Sequence, residues 1–165
     1  NVGNAYVIFG KNTMFPTNVN LLTLNGLNGF VINGINFNDR VGTSVSQAGD
    51  INGDGIDDLI IGAPGVDPDA HSYAGSSYVI FGSNVGIPNP FDLASLNGNN
   101  GFVVNGIAVN DSSGSSVSHA GDMNADGIDD VIIGARGARV NLNIDAGASY
   151  VIFGKEKPIF INGFE

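Results

Sequence analysis

The sequence predicts an all-β protein built from tandem copies of one structural unit. The string Tyr-Val-Ile-Phe-Gly occurs at Tyr6–Gly10, Tyr78–Gly82 and Tyr150–Gly154, so the unit is 72 residues long. Short segments rich in Val, Ile, Phe and Tyr alternate with turns rich in Gly, Asn, Asp and Pro, which is typical of β-strands. The chain therefore contains about two and a half copies of a strand-rich unit.

The strands of the unit are predicted from its apolar segments: Phe30–Ile35, Ser44–Ala48, Leu59–Ile61 and Ser77–Phe81. Leu59–Ile61 is continuously apolar, which predicts a strand buried on both faces. Val45 stands between two serines, which predicts a strand with one buried face. Asn18–Leu24 and the matching Phe91–Leu96 are each predicted as a turn of helix or a loop.

Four strands in a unit of this length form a β-propeller blade, whereas the rungs of a β-solenoid, the alternative, are usually shorter. We expect four-stranded antiparallel β-propeller-type blades in tandem and an incomplete propeller. Residues 1–38 are predicted to form a partial repeat, with the C-terminal strands of one blade and a connecting loop. Residues 39–110 form the first full repeat, and residues 111–165 form the second, with a terminal cap or tail. Because the chain starts part-way through a repeat, one alternative is that it is a fragment of a longer propeller.

Composition and charge exclude several classes of function. Apolar residues make up 42% of the chain and charged residues 13%, which is typical of a folded domain. A net charge of −10 with six Lys and Arg argues against nucleic-acid binding. No apolar segment is long enough to span a membrane. The absence of Cys excludes disulfides, zinc–thiolate sites and a cysteine nucleophile.

Half of the 16 acidic residues lie in two windows with the shared pattern Asp-x-Asn-x-Asp-Gly-Ile-Asp-Asp. Oxygen donors occupy positions 1, 3, 5 and 9, and the Gly at position 6 allows a turn that brings round the carbonyl of position 7. Calcium prefers six to eight such oxygen ligands, so we predict one structural Ca²⁺ in each loop. The predicted ligands are the side chains of Asp50, Asn52, Asp54 and Asp58 with the carbonyl of Ile56, and those of Asp122, Asn124, Asp126 and Asp130 with the carbonyl of Ile128. The position-8 residues, Asp57 and Asp129, are expected to face solvent or cap the loop.

The acidic windows also have features in common with simple turns and with EF-hands. Asp-Asn-Gly strings form turns without a metal, but two loops with identical donor positions favour a metal site. Mg²⁺ is chemically compatible with these donors, although a cage of many protein oxygens favours Ca²⁺. An EF-hand requires Glu at position 12 and flanking helices, whereas Ile61 and Ile133 occupy that position and begin no helix.

The loops, taken with the following Leu59–Pro64 segment, resemble the FG-GAP repeats of integrin α-subunit β-propellers and of bacterial surface proteins. The resemblance implies that each ion lies in the hairpin loop between the first two strands of a blade and is structural. The chain departs from the family pattern at Val41-Gly42 and Ser113-Gly114, which replace Phe-Gly, and at Arg136, which replaces Pro.

The favoured function is a calcium-stabilised, non-catalytic module at a cell surface or in the extracellular space, expected to be bacterial, that presents loops to a protein or carbohydrate ligand. The first alternative is a self-assembling protein that pairs with other copies of itself or with remaining blades. The second is a propeller fragment accessory to a secreted hydrolase. His71 and His119 do not recur between units, and no Ser-His-Asp arrangement repeats, so no enzyme is predicted. Asp67, Asp69 and Asp145 are candidates for an additional ion or water contact.

Overall fold

The computed structural model describes residues 2–139, 141 and 143–156. Within these residues lie ten β-strands: β1 (Asn4–Ile8), β2 (Gly29–Asn33), β3 (Ser44–Gly49), β4 (Asp58–Ala63), β5 (Ser76–Ile80), β6 (Phe91–Asp92), β7 (Gly101–Asn105), β8 (Ser113–Gly121), β9 (Asp130–Ala135) and β10 (Ala148–Ile152). Short 3-10 helices span Leu21–Thr23, Pro68–Ala70 and Leu93–Ser95. The predicted all-β class is confirmed.

The strands form three sheets, each equivalent to a whole or partial propeller blade. The central sheet has four antiparallel strands in the order β3-β4-β5-β7. The first sheet has the order β1-β2-β6, in which β2 and β6 are parallel, and the third has the order β10-β9-β8. The prediction of incomplete propeller-type blades is confirmed, with one sheet of four strands between two of three.

The 72-residue repeat of the sequence reappears in the strand boundaries. The strands β1, β5 and β10 start at Asn4, Ser76 and Ala148, and β4 and β9 start at Asp58 and Asp130. The same pattern of apolar residues and turns therefore folds the same way in each unit, as expected for a repeat protein.

Two clusters of buried side chains hold the three sheets together. The first lies between the first and central sheets and includes Phe30, Ile32, Ile61 and Ile80. The second lies between the central and third sheets and is formed by Ala48, Ile51, Ile60, Val79, Val131 and Ile133. Neighbouring residues of β4 belong to opposite clusters, because side chains alternate between the faces of a strand. The predicted burial of β4 on both faces is therefore confirmed.

The alternation predicted around Val45 is present, but the less exposed face of β3 is the one that carries the serines. The Val45 side chain is 57% exposed, and the flanking serines lie on the side that approaches the third sheet. Ser44 Oγ donates a hydrogen bond to the carbonyl of Gly114 at 2.9 Å. The strands β3 and β8 approach each other closely at this point, so only small polar side chains fit between them.

The two predicted helical turns are confirmed as 3-10 helices, and each begins with a side-chain cap. Asn20 accepts a hydrogen bond from the N–H of Leu22, and Asp92 accepts one from the N–H of Ala94. The two-residue strand β6 was not predicted, because so short a segment carries no periodic pattern. No helix in the described part of the chain is long and apolar enough to cross a membrane.

Candidate metal-binding loops

Both acidic loops are hairpin connections between the first two strands of a sheet. The first joins β3 to β4, and the second joins β8 to β9. The last predicted ligand of each loop, Asp58 or Asp130, is the first residue of the following strand and is buried. The earlier acidic residues of each loop lie nearer to solvent. Each loop therefore has acidic residues near the surface and one buried carboxylate, which we call the buried base of the loop.

The first loop is closed by hydrogen bonds from its own backbone. The Asp50 carboxylate accepts the N–H groups of Asp54 at 2.9 Å and Gly55 at 2.7 Å. Asp54 Oδ1 accepts the N–H of Ile56 at 3.1 Å. These bonds turn the backbone around the carboxylates, as the glycine at position 6 allows: Gly55 has φ of +83°.

The second loop repeats this network. The Asp122 carboxylate accepts the N–H groups of Asp126 at 3.0 Å and Gly127 at 2.8 Å, and Asp126 Oδ1 accepts the N–H of Ile128 at 2.9 Å. The loops differ at position 3. Asn52 is buried and donates to Asp58, whereas Asn124 is exposed and donates to Asp126.

Asp58 forms the buried base of the first loop. Its carboxylate accepts the N–H of Gly82 at 2.8 Å and the N–H of Ile51 at 3.1 Å. Burial nevertheless raises the pKa of Asp58 to about 6; the Gly82 N–H opposes this rise, and the nearby Asp54 carboxylate adds to it. A carboxyl group in this position gains from a cation that stabilises its charged form.

The polar atoms of the first loop fit an oxygen-binding cation, provided that the ion displaces backbone N–H groups from two of the carboxylates. Asn52 Oδ1 is buried and has no hydrogen-bond partner among the described residues, and such an acceptor is costly unless a donor or cation satisfies it. However, within residues 2–139, 141 and 143–156, no three His, Asp or Glu side chains converge as a metal cluster. An ion would therefore compete with backbone N–H donors for Asp50 and Asp54.

The two position-8 residues have different surroundings, which the sequence did not distinguish. Asp57 is exposed, as expected. Asp129 instead caps the other loop: its Oδ2 accepts the N–H of Asp50 at 2.9 Å. His119 Nε2 lies 3.0 Å from Asp129 Oδ1, a close polar contact without an aligned hydrogen bond. This contact with His119, and secondarily the Asp50 N–H, holds the pKa of Asp129 below its usual range.

The remaining candidate residues do not join either loop. Asp67 accepts the N–H of Tyr73 at 2.7 Å and so caps the turn that contains it. Asp69 has a left-handed φ of +50° in the same turn, and Asp145 is exposed. The described residues show no cluster with these side chains that could hold a second ion.

Comparison with known proteins agrees with the loop geometry. The family sequence model of the FG-GAP repeat matches residues 41–80 and 113–152, which contain both acidic loops and the strands around them. This chain belongs to the FG-GAP repeat family. It is 34% identical over 118 residues to human phosphatidylinositol-glycan-specific phospholipase D, and 33% and 32% identical to the bovine and rat proteins of that name. The match covers 72% of this chain but only 14% of each relative.

Proposed function

We propose that this chain is a calcium-stabilised extracellular repeat module that presents its loops to a protein or carbohydrate ligand and has no catalytic role. The observation that carries the proposal is the buried Asn52 Oδ1, which lacks a partner among the described residues and lies in a loop with four carboxylates. A cation there would satisfy the oxygen and balance the loop charge. The recurrence of the loop in the next FG-GAP repeat supports a second site of the same kind.

The ligands of the first site are Asp50, Asn52, Asp54, Asp58 and the carbonyl of Ile56, and the second site uses the equivalent residues of the second loop. Bound calcium stabilises the ionised form of these carboxylates and ties the hairpin to the folded state. Its role is therefore structural. Extracellular calcium is about millimolar, which suits weak sites of this kind, so the module functions outside the cell.

The chain's own polar residues support the absence of a catalytic role. The histidine of the described inter-blade contact, His119, pairs with Asp129 rather than with a nucleophile. The matched region is a small part of each phospholipase D relative, so the match does not indicate their named activity in this chain. If the chain were part of a secreted hydrolase, the repeats would act as an accessory module beside the catalytic domain.

Calcium binding is tested by calorimetric titration of the intact chain and by thermal unfolding with calcium or EGTA. We expect two calcium ions per chain and a free-energy gain of about 2.7 kcal/mol per site when free calcium is about 100 times Kd. This corresponds to a rise in Tm of roughly 5–10 °C for each site. Asp54→Ala and Asp126→Ala should each remove one ion, whereas Asp57→Asn should retain both. Unchanged Tm together with no bound calcium would refute the proposal.

Self-assembly is a second candidate, favoured by the outer face of the third sheet. On the central sheet, Ala48, Ile51, Ile60 and Val79 are buried beneath the third sheet. Their counterparts one repeat later are Ala120, Met123, Ile132 and Val151, which are all partly or largely exposed. Met123 alone is 62% exposed. Another blade, from a second copy of this chain or from a longer protein, would cover the same face in the same way.

Light scattering separates the two candidates. A ligand-presenting module should have the mass of a single chain at all concentrations, with calcium or EGTA. An assembling protein should form particles that grow with concentration, and Met123→Asp should dissociate them because it introduces a charge into the apolar face. A single-chain mass at every concentration tested would eliminate self-assembly.

A further inference from the structure

The two acidic loops touch each other across the interface between the central and third sheets. The N–H of Asp50 donates to Asp129 Oδ2 at 2.9 Å, and the N–H of Asp129 donates to the carbonyl of Asp50 at 3.4 Å. The other oxygen of the Asp129 carboxylate lies 3.0 Å from Nε2 of His119. One carboxylate is therefore held by its own sheet and in turn holds the first residue of the other loop.

The backbone leaves no spare room at this contact. A Cβ atom on Gly49 would lie 2.6 Å from the Cβ of Asp129. At Gly121, one repeat later, a Cβ atom would meet no described atom within 4 Å. The two glycines have nearly the same φ, +65° and +70°. The close approach is thus a property of the inter-sheet contact and not of the repeat itself.

We propose that Asp129 is a positioning residue for the calcium site of the first loop and that it couples calcium binding at the two loops. The inference rests on the proposed function, because it concerns the same two sites. Asp50 supplies the first ligand of its loop, and Asp129 fixes the backbone of that residue. Asp129 also lies between the predicted ligands Ile128 and Asp130, so an ion that orders the second loop also orders Asp129. By linkage, calcium at either loop raises the affinity of the other loop by the same factor.

If Asp129 had a purely local role, its substitution would weaken calcium binding at its own loop and not at the first loop. The negative charge of Asp129 would then attract calcium mainly to its own loop, and Asp57 would do the same for the first loop. Asp57 is the matched control, because it occupies the same position in the first loop and is exposed. The test is therefore whether the effect of Asp129 is on its own loop or on the other one.

Backbone amide NMR with calcium alone as the titrant measures the two loops separately. The N–H groups of Gly55 and Gly127 lie in the first and second loops and donate to Asp50 and Asp122. For Asp129→Asn, we expect calcium affinity reported by Gly55 to fall about 5-fold or more, the lower range of typical coupling factors. The affinity reported by Gly127 should change much less. Asp57→Asn should change both affinities less than this, as expected for an exposed charge.

The outcomes distinguish this inference from the function on which it rests. If neither glycine of the wild-type chain shifts with millimolar calcium, both the proposed function and the coupling fail. If both shift, but Asp129→Asn weakens only its own loop, the coupling alone is refuted. If Asp129→Asn does not fold, His119→Gln provides the test, because glutamine is found at the equivalent position of the first repeat. His119→Gln should lower the Gly55-reported affinity by a smaller factor, and no change there would overturn the inference.

Discussion

Alanine substitution at Gly49 and Gly121 measures the free energy of the contact between the two loops. Both glycines precede an acidic loop and have a left-handed φ, which is unfavourable for alanine. Only at Gly49 would the new methyl group collide with the third sheet, where Asp129 Cβ lies 2.6 Å away. Because the clash involves the Cβ atom, rotation of the Asp129 side chain cannot relieve it. The backbone or the whole sheet contact must move.

The expected loss in the free energy of unfolding follows from these contacts. The left-handed conformation costs alanine about 1–2 kcal/mol, and this cost is common to both variants. Gly49→Ala also displaces Asp129 from the Asp50 N–H and from His119. Hydrogen bonds to charged groups contribute about 1.5–3 kcal/mol, and the one-third exposure of the Asp129 side chain reduces this to about 1–2 kcal/mol. We therefore expect losses of about 1–2 kcal/mol for Gly121→Ala and about 2–4 kcal/mol for Gly49→Ala.

Urea unfolding of the two variants and the wild type, at one fixed calcium concentration, gives both losses. Thermal unfolding should show the same order, since each kcal/mol corresponds to about 2–4 °C in a chain of this size. Equal losses for Gly49→Ala and Gly121→Ala would refute the reasoning, because the inter-sheet contact would then contribute nothing. A larger loss at Gly121 would place the important contact outside the described residues.

Three further predictions concern buried side chains of the central sheet. Ser77 Oγ is buried without a partner among the described residues, whereas Ser76 Oγ donates to Asn105 Oδ1 at 3.0 Å. Ser77→Ala should therefore be neutral or stabilising and Ser76→Ala should cost about 1 kcal/mol in urea unfolding; equal costs would contradict the assigned contacts. Ile60→Ala should cost about 2–5 kcal/mol by the same assay, and an effect below that range would show that the third sheet packs loosely. Burial, and secondarily the charge of Asp39, raises the pKa of Tyr78 to about 12. Because the folded state then holds this proton more tightly than the unfolded state, stability should fall as the pH rises from about 10 towards 12. Ultraviolet titration should show one late tyrosine that is absent in Tyr78→Phe, and loss of an earlier phase instead would contradict the assignment.

The sequence predicted the strands well because their pattern repeats. Three copies of Tyr-Val-Ile-Phe-Gly located one strand of every sheet, and the apolar run Leu59–Ile61 correctly indicated burial on both faces. The alternation around Val45 indicated a one-sided strand, but alternation alone does not say which face of a strand meets another sheet. Here the serine face lies towards the third sheet, since β3 and β8 approach too closely for larger side chains. That distance depends on the arrangement of sheets, which a local pattern does not contain.

The positions of the candidate ligands along the chain could be predicted from the sequence. Their contacts with the rest of the protein could not. The structure gives both loops the same hydrogen bonds to Asp50 and Asp122, as their shared sequence suggests. It also distinguishes Asp57 from Asp129, which occupy identical positions in the repeat. The difference arises because Asp129 lies against the acidic loop of the preceding sheet, whereas the described residues of the first sheet contain no acidic loop that Asp57 could contact. A neighbour of that kind is a tertiary property, so the role of His119 beside Asp129 was not found either.

The first loop and the core beneath it form one structural element. Ile51, the second residue of the loop, is only 2% exposed and packs in the cluster between the central and third sheets. Its neighbours on either side are Asp50, which the third sheet caps, and Asn52, which is buried against Asp58. Any displacement of the acidic residues therefore disturbs apolar packing between sheets, and any loosening of the sheets displaces the acidic residues. In a repeat protein whose stability depends on contacts between neighbours, a cation in this loop would stabilise the junction of two blades as well as its own hairpin.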